Sequence, residues 1–247
     1  MKVWLFFVGL SLVVTANLLA QKTESSFAVI ELFVSEGCGA SPAAEKNLYE
    51  LLVEFSKQNK PVTLLTFHVD YWNKYGWQDP FSSLAFTRRQ NNYASALKQK
   101  EVFTPQVFIN GQLAFAGSEI KKIKSETERM LKRTTKDTLL INADSTVRDT
   151  LWISCSASQA GPNLTLAVFL VLPEASSNVL KGDNEGKTLA HKNIVRKMDF
   201  FPVPEKKWTA GIPLRQFKNK KGMYLVAYLQ QKQTKKILAV SKPVSDF

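Results

Sequence analysis

The sequence predicts an α/β domain followed by an all-β, antiparallel, sandwich-like domain. Residues 27–136 alternate short apolar runs with stretches whose apolar residues recur at helical spacing. From Asp137 onward the pattern changes to short alternating runs without helical periodicity, separated by turns rich in Gly, Pro, Asn and Asp. The chain has 247 residues and is 45% hydrophobic, enough for two ordinary domains. The expected division is a leader over 1–20, a first domain over 21–136 and a second over 137–247.

The leader is the first element. Lys2 supplies a positive start, Val3 to Val14 is almost wholly apolar, and the segment ends in the small residue Ala20. This is the pattern of a cleaved export signal. A single membrane anchor is the alternative, but the run is short for a span of roughly 20 residues. The expected location is therefore exported, periplasmic or secreted, with no membrane insertion after the signal is removed.

In the first domain, Phe27 to Val34 reads as a buried strand, and Ser35 to Ala40 as a glycine-punctuated turn. Ser41 and Pro42 have the chemistry of a helix cap and first helical residue. Leu48, Leu51, Leu52 and Phe55 then fall on one helical face. Val62 to Val69 is a second buried strand, so strand, helix, strand predicts a parallel pair. A helix is expected from Pro80 to Lys98, strands over Val102–Ile109 and Gln112–Ala116 joined at Asn110-Gly111, and a last helix over Ser118–Arg133. In the second domain the expected runs are Thr138–Asn142, Thr150–Ser156, Leu164–Leu172, Thr188–Lys197, Met223–Gln230 and Lys236–Ser241.

The formal charge is +12, mostly from scattered lysines, densest over Lys121–Lys136. Without a base-stacking motif or a recognisable nucleic-acid fold, this reads as a solvated surface and no nucleic-acid partner is expected. The two cysteines, Cys38 and Cys155, exclude a disulfide-rich framework. Cys155 shares a strand face with Leu151 and Ile153, which favours core packing over a redox partnership.

The order β-α-β, helix, β-hairpin, helix resembles the thioredoxin fold. Cys38 sits between the first strand and first helix, and Thr104-Pro105 opens the hairpin strand, where that fold places a cis-proline. A thiolate at a helix N-terminus is stabilised by unpaired N–H groups and the helix dipole. Cys38 is therefore expected to be an exposed, activated thiol. The motif Cys38-Gly39-Ala40-Ser41 lacks the second cysteine of C-x-x-C, so a dithiol cycle within it is excluded, while a lone thiolate can still attack a disulfide.

The supporting residues follow from that placement. Ser41 is expected to donate to the thiolate, and Pro105 to hold substrate backbone. His68 is either a proton shuttle or a satisfied sheet histidine. Glu31, an acid inside an apolar strand, needs a partner: a relay towards Cys38 or a structural ion pair. Asp70, Tyr71, Trp72 and Thr104 are the expected substrate contacts, Asp70 also being able to orient His68. A copper(I) carrier is a further alternative, but one Cys with no methionine nearby supplies few soft ligands. No metal ligand and no cofactor is assigned.

The segments Glu31-Leu32-Phe33-Val34-Ser35-Glu36-Gly37-Cys38, Phe67 to Trp72, Gly76 to Phe81, Thr87-Arg88-Arg89-Gln90 with Tyr93, and Thr104-Pro105-Gln106 form a series. With Gly182 to Leu189, His191 and Asn193 to Arg196, it resembles the secreted thioredoxin-like proteins grouped as domain of unknown function 1223. The resemblance implies export and the expected fold. It implies no settled activity, and Ser41 departs from the family's usual C-x-x-C. His191 and Arg196 read as strand-surface residues, able to dock the two halves or bind a ligand. The expected function is that of an exported monothiol protein acting on protein or small-molecule thiols and disulfides. A non-catalytic binding module using the aromatic loop Tyr71–Phe81 is the alternative.

Overall fold

The computed structural model describes residues 25–245 and 247, so the expected leader over 1–20 lies outside the described residues. The chain runs β1 (Ala28–Val34), α1 (Ser41–Lys57), β2 (Val62–His68), α2 (Leu84–Ala96), β3 (Gln106–Ile109), β4 (Leu113–Ala116) and α3 (Ile120–Leu131). It continues through β5 (Leu139–Val147), β6 (Thr150–Ala157), β7 (Leu164–Asn178), β8 (Thr188–Pro202), β9 (Lys207–Pro213), β10 (Tyr224–Gln231) and β11 (Ile237–Val240). No helix among the described residues is long and apolar enough to cross a membrane.

The local elements follow from local chemistry. Every residue of β1 is buried, as a continuous apolar run requires of a strand covered on both faces. α1 buries Ala44, Leu48, Leu51 and Phe55. Its cap is Ala40 without a side-chain hydrogen bond, Ser41 lying inside the helix and Pro42 in the first turn. α2 is capped by Ser83, whose hydroxyl accepts the Ala85 amide at 3.2 Å.

The assembly of these elements corrects the expected fold class. A helix-flanked thioredoxin-like domain followed by a separate β-sandwich does not form. The molecule is mostly β: one mixed eight-stranded sheet in the order β11-β10-β7-β8-β2-β1-β3-β4, a three-stranded sheet β5-β6-β9, and only three α-helices among the described residues. The join is β8 lying parallel to β2 at Thr66–Ile194, with the Thr66 hydroxyl donating to the Lys192 carbonyl at 2.9 Å. Without β8, β2 would present a row of unpaired backbone groups, and an uncovered edge is a liability. Strand β9, within a stretch read as turn, was not expected; it pairs with β6 from Thr150–Pro213 to Ser156–Lys207.

Three apolar clusters result. One, with Leu48, Phe55, Leu64 and Ile123, lies where α1 and α3 cover the first strands. A second, with Phe33, Phe67, Phe86, Phe169 and Tyr228, joins both halves of the chain. The third packs the β5-β6-β9 sheet against β7, β10 and β11.

The large sheet curls until the turn after β3 meets the β10–β11 hairpin. Asn110 and Gly111 both have positive φ (50° and 64°), and the Asn110 carbonyl accepts the Ile237 amide at 3.0 Å. A Cβ on Gly111 would stand 2.0 Å from the Lys235 carbonyl oxygen. Gly111→Ala combines a left-handed backbone with a backbone clash, and is expected to cost at least about 2 kcal/mol. Urea unfolding of the variant is the measurement, with an unchanged midpoint contradicting the close approach.

Candidate functional site

The turn after β1 places Cys38 just before α1. Cys38 is buried, at 4% exposure, which corrects the expectation of an exposed thiol. Its Sγ donates to the Thr104 carbonyl at 3.4 Å, and the Thr104-Pro105 peptide is cis. The cover comes from the second half of the chain. β7 and β8 run on together to Asn178–Thr188, and the turn between them lies over the cysteine loop. Asn184, fully buried, donates to the Glu36 carbonyl at 2.9 Å and the Cys38 carbonyl at 3.0 Å. Asp183 accepts the Gly39 amide at 3.1 Å.

Ser41 does not point its hydroxyl hydrogen-bonding at the thiol: its Oγ accepts the Ser35 amide at 3.2 Å, which holds the turn closed. Tyr71 stands beside the Cys38 thiol, with Gln90 and Thr104 near its hydroxyl. Burial lifts the Tyr71 phenol to about 12, the neighbouring thiol adding to the shift. Trp72 packs against Gly37. Beside the thiol the buried Tyr71 Oη, Gln90 Oε1 and Thr104 Oγ1 face one another without a well-formed hydrogen bond, and in the adjoining segments Trp72 Nε1 and Gln106 Nε2 are buried without a partner.

Glu31 belongs elsewhere. Its carboxylate takes Arg89 Nε at 2.6 Å and Nη2 at 2.7 Å, and accepts the Tyr93 hydroxyl at 2.8 Å. The structural ion pair is therefore what β1 carries, and none of these bonds leads to Cys38. Asp70 bonds Thr87, accepting its hydroxyl at 2.6 Å, and does not orient His68.

The orienting acid is Asp79, which meets His68 Nδ1 at 2.8 Å and also accepts the amides of Glu36 and Phe81, both at 2.9 Å. His68 is fully buried. It stands edge-on to His191, ring centroids 4.7 Å apart, so the two histidines of the chain form one cluster. His191 is 1% exposed rather than on a strand surface. Its Nδ1 faces Glu45 at 2.9 Å and its Nε2 faces Glu36 at 3.0 Å. Trp77 Nε1 donates to Glu36 at 2.7 Å, and the Ser177 hydroxyl also donates to Glu36. Burial alone would depress the His191 pKa; the hydrogen bonds and charge of Glu36 and Glu45 outweigh it and raise it to about 10.

Glu36, Glu45 and Asp79 were not singled out from the sequence, and His191 was read only as a strand-surface residue able to dock the two halves or bind a ligand. His191 and Glu45 are 146 residues apart, and no spacing rule links them. The usable signal was Glu45 within an otherwise apolar helix face. A cavity of about 400 Å³ lined by residues including Arg88, Arg89, Tyr93, Phe200 and Lys232 contains neither Cys38 nor either histidine.

The family profile described as "Protein of unknown function (DUF1223)" matches residues 29–230. No curated protein matches. Among solved structures, the crystal structure of protein AGR_C_4864 from Agrobacterium tumefaciens is similar with a TM-score of 0.62 and 23% identity, over 88% of this chain and 92% of that one. HBP35 of Porphyromonas gingivalis is similar with a TM-score of 0.62 and 13% identity, over 88% of this chain and 74% of that one. At these identities the likeness is one of fold alone.

Proposed function

The chain belongs to the DUF1223 family, and from that premise we propose that it is an exported protein that binds a thiol or disulfide compound beside Cys38 and exchanges with it. The observation that supports this reading is the set of poorly partnered buried polar side chains in the segments beside the thiol. Buried polar groups are almost always hydrogen-bonded; Tyr71, Gln90 and Thr104 have only one another at close range, and Trp72 Nε1 and Gln106 Nε2 have no partner, so a bound ligand would satisfy them. The Tyr71 and Thr104 hydroxyls, the Gln90 and Gln106 amides and the Trp72 indole offer a polar substrate both donors and acceptors.

The step is one exchange. The Cys38 thiolate attacks one sulfur of a disulfide, a Cys38–substrate disulfide forms, and the other substrate sulfur leaves as a thiolate. Ser41 has no thiol to resolve the product, so an external thiol completes the turnover. The covering turn with Asn184 restricts access, and release of its two hydrogen bonds is the opening motion this reading requires. The burial of Cys38 favours a second reading, a binding module without thiol chemistry.

Iodoacetamide labelling of the folded chain at neutral pH, read by peptide mass spectrometry, separates the two. Cys38 is expected to be labelled while Cys155, its thiol pushed up to about 12 chiefly by burial, stays protected. Asn184→Ala leaves two buried carbonyls without their donor, each worth about 1–3 kcal/mol. Labelling of Cys38 is expected to quicken about tenfold in that variant. Cys38 unlabelled in both proteins overturns the thiol reading and leaves the binding module.

A further inference from the structure

We infer that Glu45, His68 and His191 form a buried binding site for a divalent transition-metal ion of the zinc class, independent of the thiol chemistry at Cys38. One ligand atom from each residue lies within 4.8 Å of the others, and all three residues are buried. Glu45 comes from α1, His68 from the end of β2 and His191 from β8. Three elements from both halves of the chain thus converge on one point.

The strongest observation is His68 Nε2. This atom is fully buried and has no hydrogen-bond partner. It looks towards Glu45 Oε1 at 3.8 Å, too long for a hydrogen bond. A buried imidazole nitrogen left empty is costly unless something occupies the gap. In a tetrahedral zinc site with bonds of about 2.0–2.2 Å, ligand atoms stand roughly 3.3 Å apart. Glu45 Oε1 already lies 3.1 Å from His191 Nδ1. Closing the 3.8 Å gap from His68 Nε2 to Glu45 takes about 0.5 Å, and drawing in the whole set, whose atoms lie within 4.8 Å of one another, takes up to about 1.5 Å.

The surroundings match a metal site in a second way. A metal-bound histidine almost always donates its other ring N–H to a carboxylate or carbonyl, which sets the tautomer and orients the ring. Both histidines are placed to do so. His68 Nδ1 stands 2.8 Å from Asp79, and His191 Nε2 stands 3.0 Å from Glu36. That leaves His68 Nε2 as a free lone pair and His191 Nδ1 bonded only to Glu45; both face Glu45, and a metal ion would replace the proton that His191 Nδ1 shares with it. Asp79 and Glu36 are themselves held, by the amides of Glu36 and Phe81 and by Trp77 and Ser177. Three carboxylates gathered around two imidazoles in a buried place favour a cation. Two imidazoles and a carboxylate, without a thiolate, select a borderline divalent ion over copper(I). Three protein ligands leave a coordination position for water or a small molecule.

The test is zinc titration of the purified full chain against a chromophoric chelator. One zinc per chain with a submicromolar dissociation constant is expected. His68→Gln, His191→Gln and Glu45→Gln are each expected to weaken binding at least 100-fold, and Asp79→Asn 10–100-fold. Absence of stoichiometric binding, or binding retained in all three ligand variants, overturns the site. Where a variant fails to fold, the cobalt(II) spectrum of the unaltered chain decides. Intense d–d bands of a four- or five-coordinate nitrogen–oxygen site support the assignment, and the weak spectrum of the hydrated ion overturns it. A Cys38→Ser chain is expected to bind zinc unchanged, which keeps this result separate from that of the labelling experiment.

Discussion

Replacing Arg89 with methionine is expected to cost about 3–5 kcal/mol of stability, the magnitude typical of stripping one partner from a buried ion pair. Arg89 is 5% exposed and Glu31 1% exposed. The pair is bidentate, at 2.6 and 2.7 Å, and Arg89 Nη2 also donates to the Tyr93 hydroxyl at 2.8 Å. Gln230 of β10 donates to the same hydroxyl at 2.9 Å, so the network ties β1 and α2 to the second half of the chain. The guanidinium also lies over the rings of Phe169 at 4.8 Å and Tyr93 at 4.9 Å. Arg89→Met leaves the Glu31 carboxylate uncompensated in a core of low polarity. The double variant Glu31→Leu/Arg89→Met removes both charges and is expected to be more stable than Arg89→Met alone. Urea unfolding of the four proteins forms a double-mutant cycle. A coupling near zero would show that the charges do not depend on each other.

The second large effect is expected at Asp79. Its carboxylate receives the amides of Glu36 and Phe81 and meets His68, all within 2.9 Å. Hydrogen bonds to a charged group are worth about 1.5–3 kcal/mol each. Asp79→Ala is therefore expected to cost about 4 kcal/mol and to release the turn that precedes α1. The same carboxylate sets an acid limb. Burial pushes its pKa up, but His68 and the two amides outweigh burial and hold it below the ordinary 3.8. A carboxyl depressed in the folded state contributes its full stability above that ordinary value and loses it as pH falls through the folded value. Stability measured by urea unfolding from pH 5 to pH 2 should fall in this window, and fall less steeply in Asp79→Asn. Equal slopes in both proteins would assign the acid limb to other groups.

Much of the local structure was legible in the order of residues. The apolar run of β1, the helical spacing of Leu48, Leu51 and Phe55, and the Asn110-Gly111 turn each carry their own signal, because strand and helix periods and left-handed turn geometry act within a few residues. The family, matched over residues 29–230, was legible as well, since the resemblance rests on short strings of adjacent residues between Glu31 and Arg196. The need of Glu31 for a partner followed from a carboxylate in an apolar strand, although its sequence could not say that the partner was Arg89.

What the tertiary structure decided is the joining of distant pieces. Alternation marks β7 and β8 as strands, but it does not state that β8 pairs with β2, because an alternating strand fits any edge that buries its apolar side. That one pairing converts an expected pair of domains into one eight-stranded sheet and lays Asn184 over Cys38. It also carries His191 to Glu45 across 146 residues of chain. A histidine alone in a polar strand has no local feature that separates a surface residue from a buried ligand. The difference comes from the desolvation and the carboxylate partners that only the closed sheet supplies. The sequence by itself therefore determined most of the elements, though not β9, together with the family and the position of the thiol, since each rests on neighbours in the chain. The shared sheet, the burial of Cys38 and the imidazole cluster were decided by tertiary contacts, whose energy comes from groups that meet only when the chain is folded.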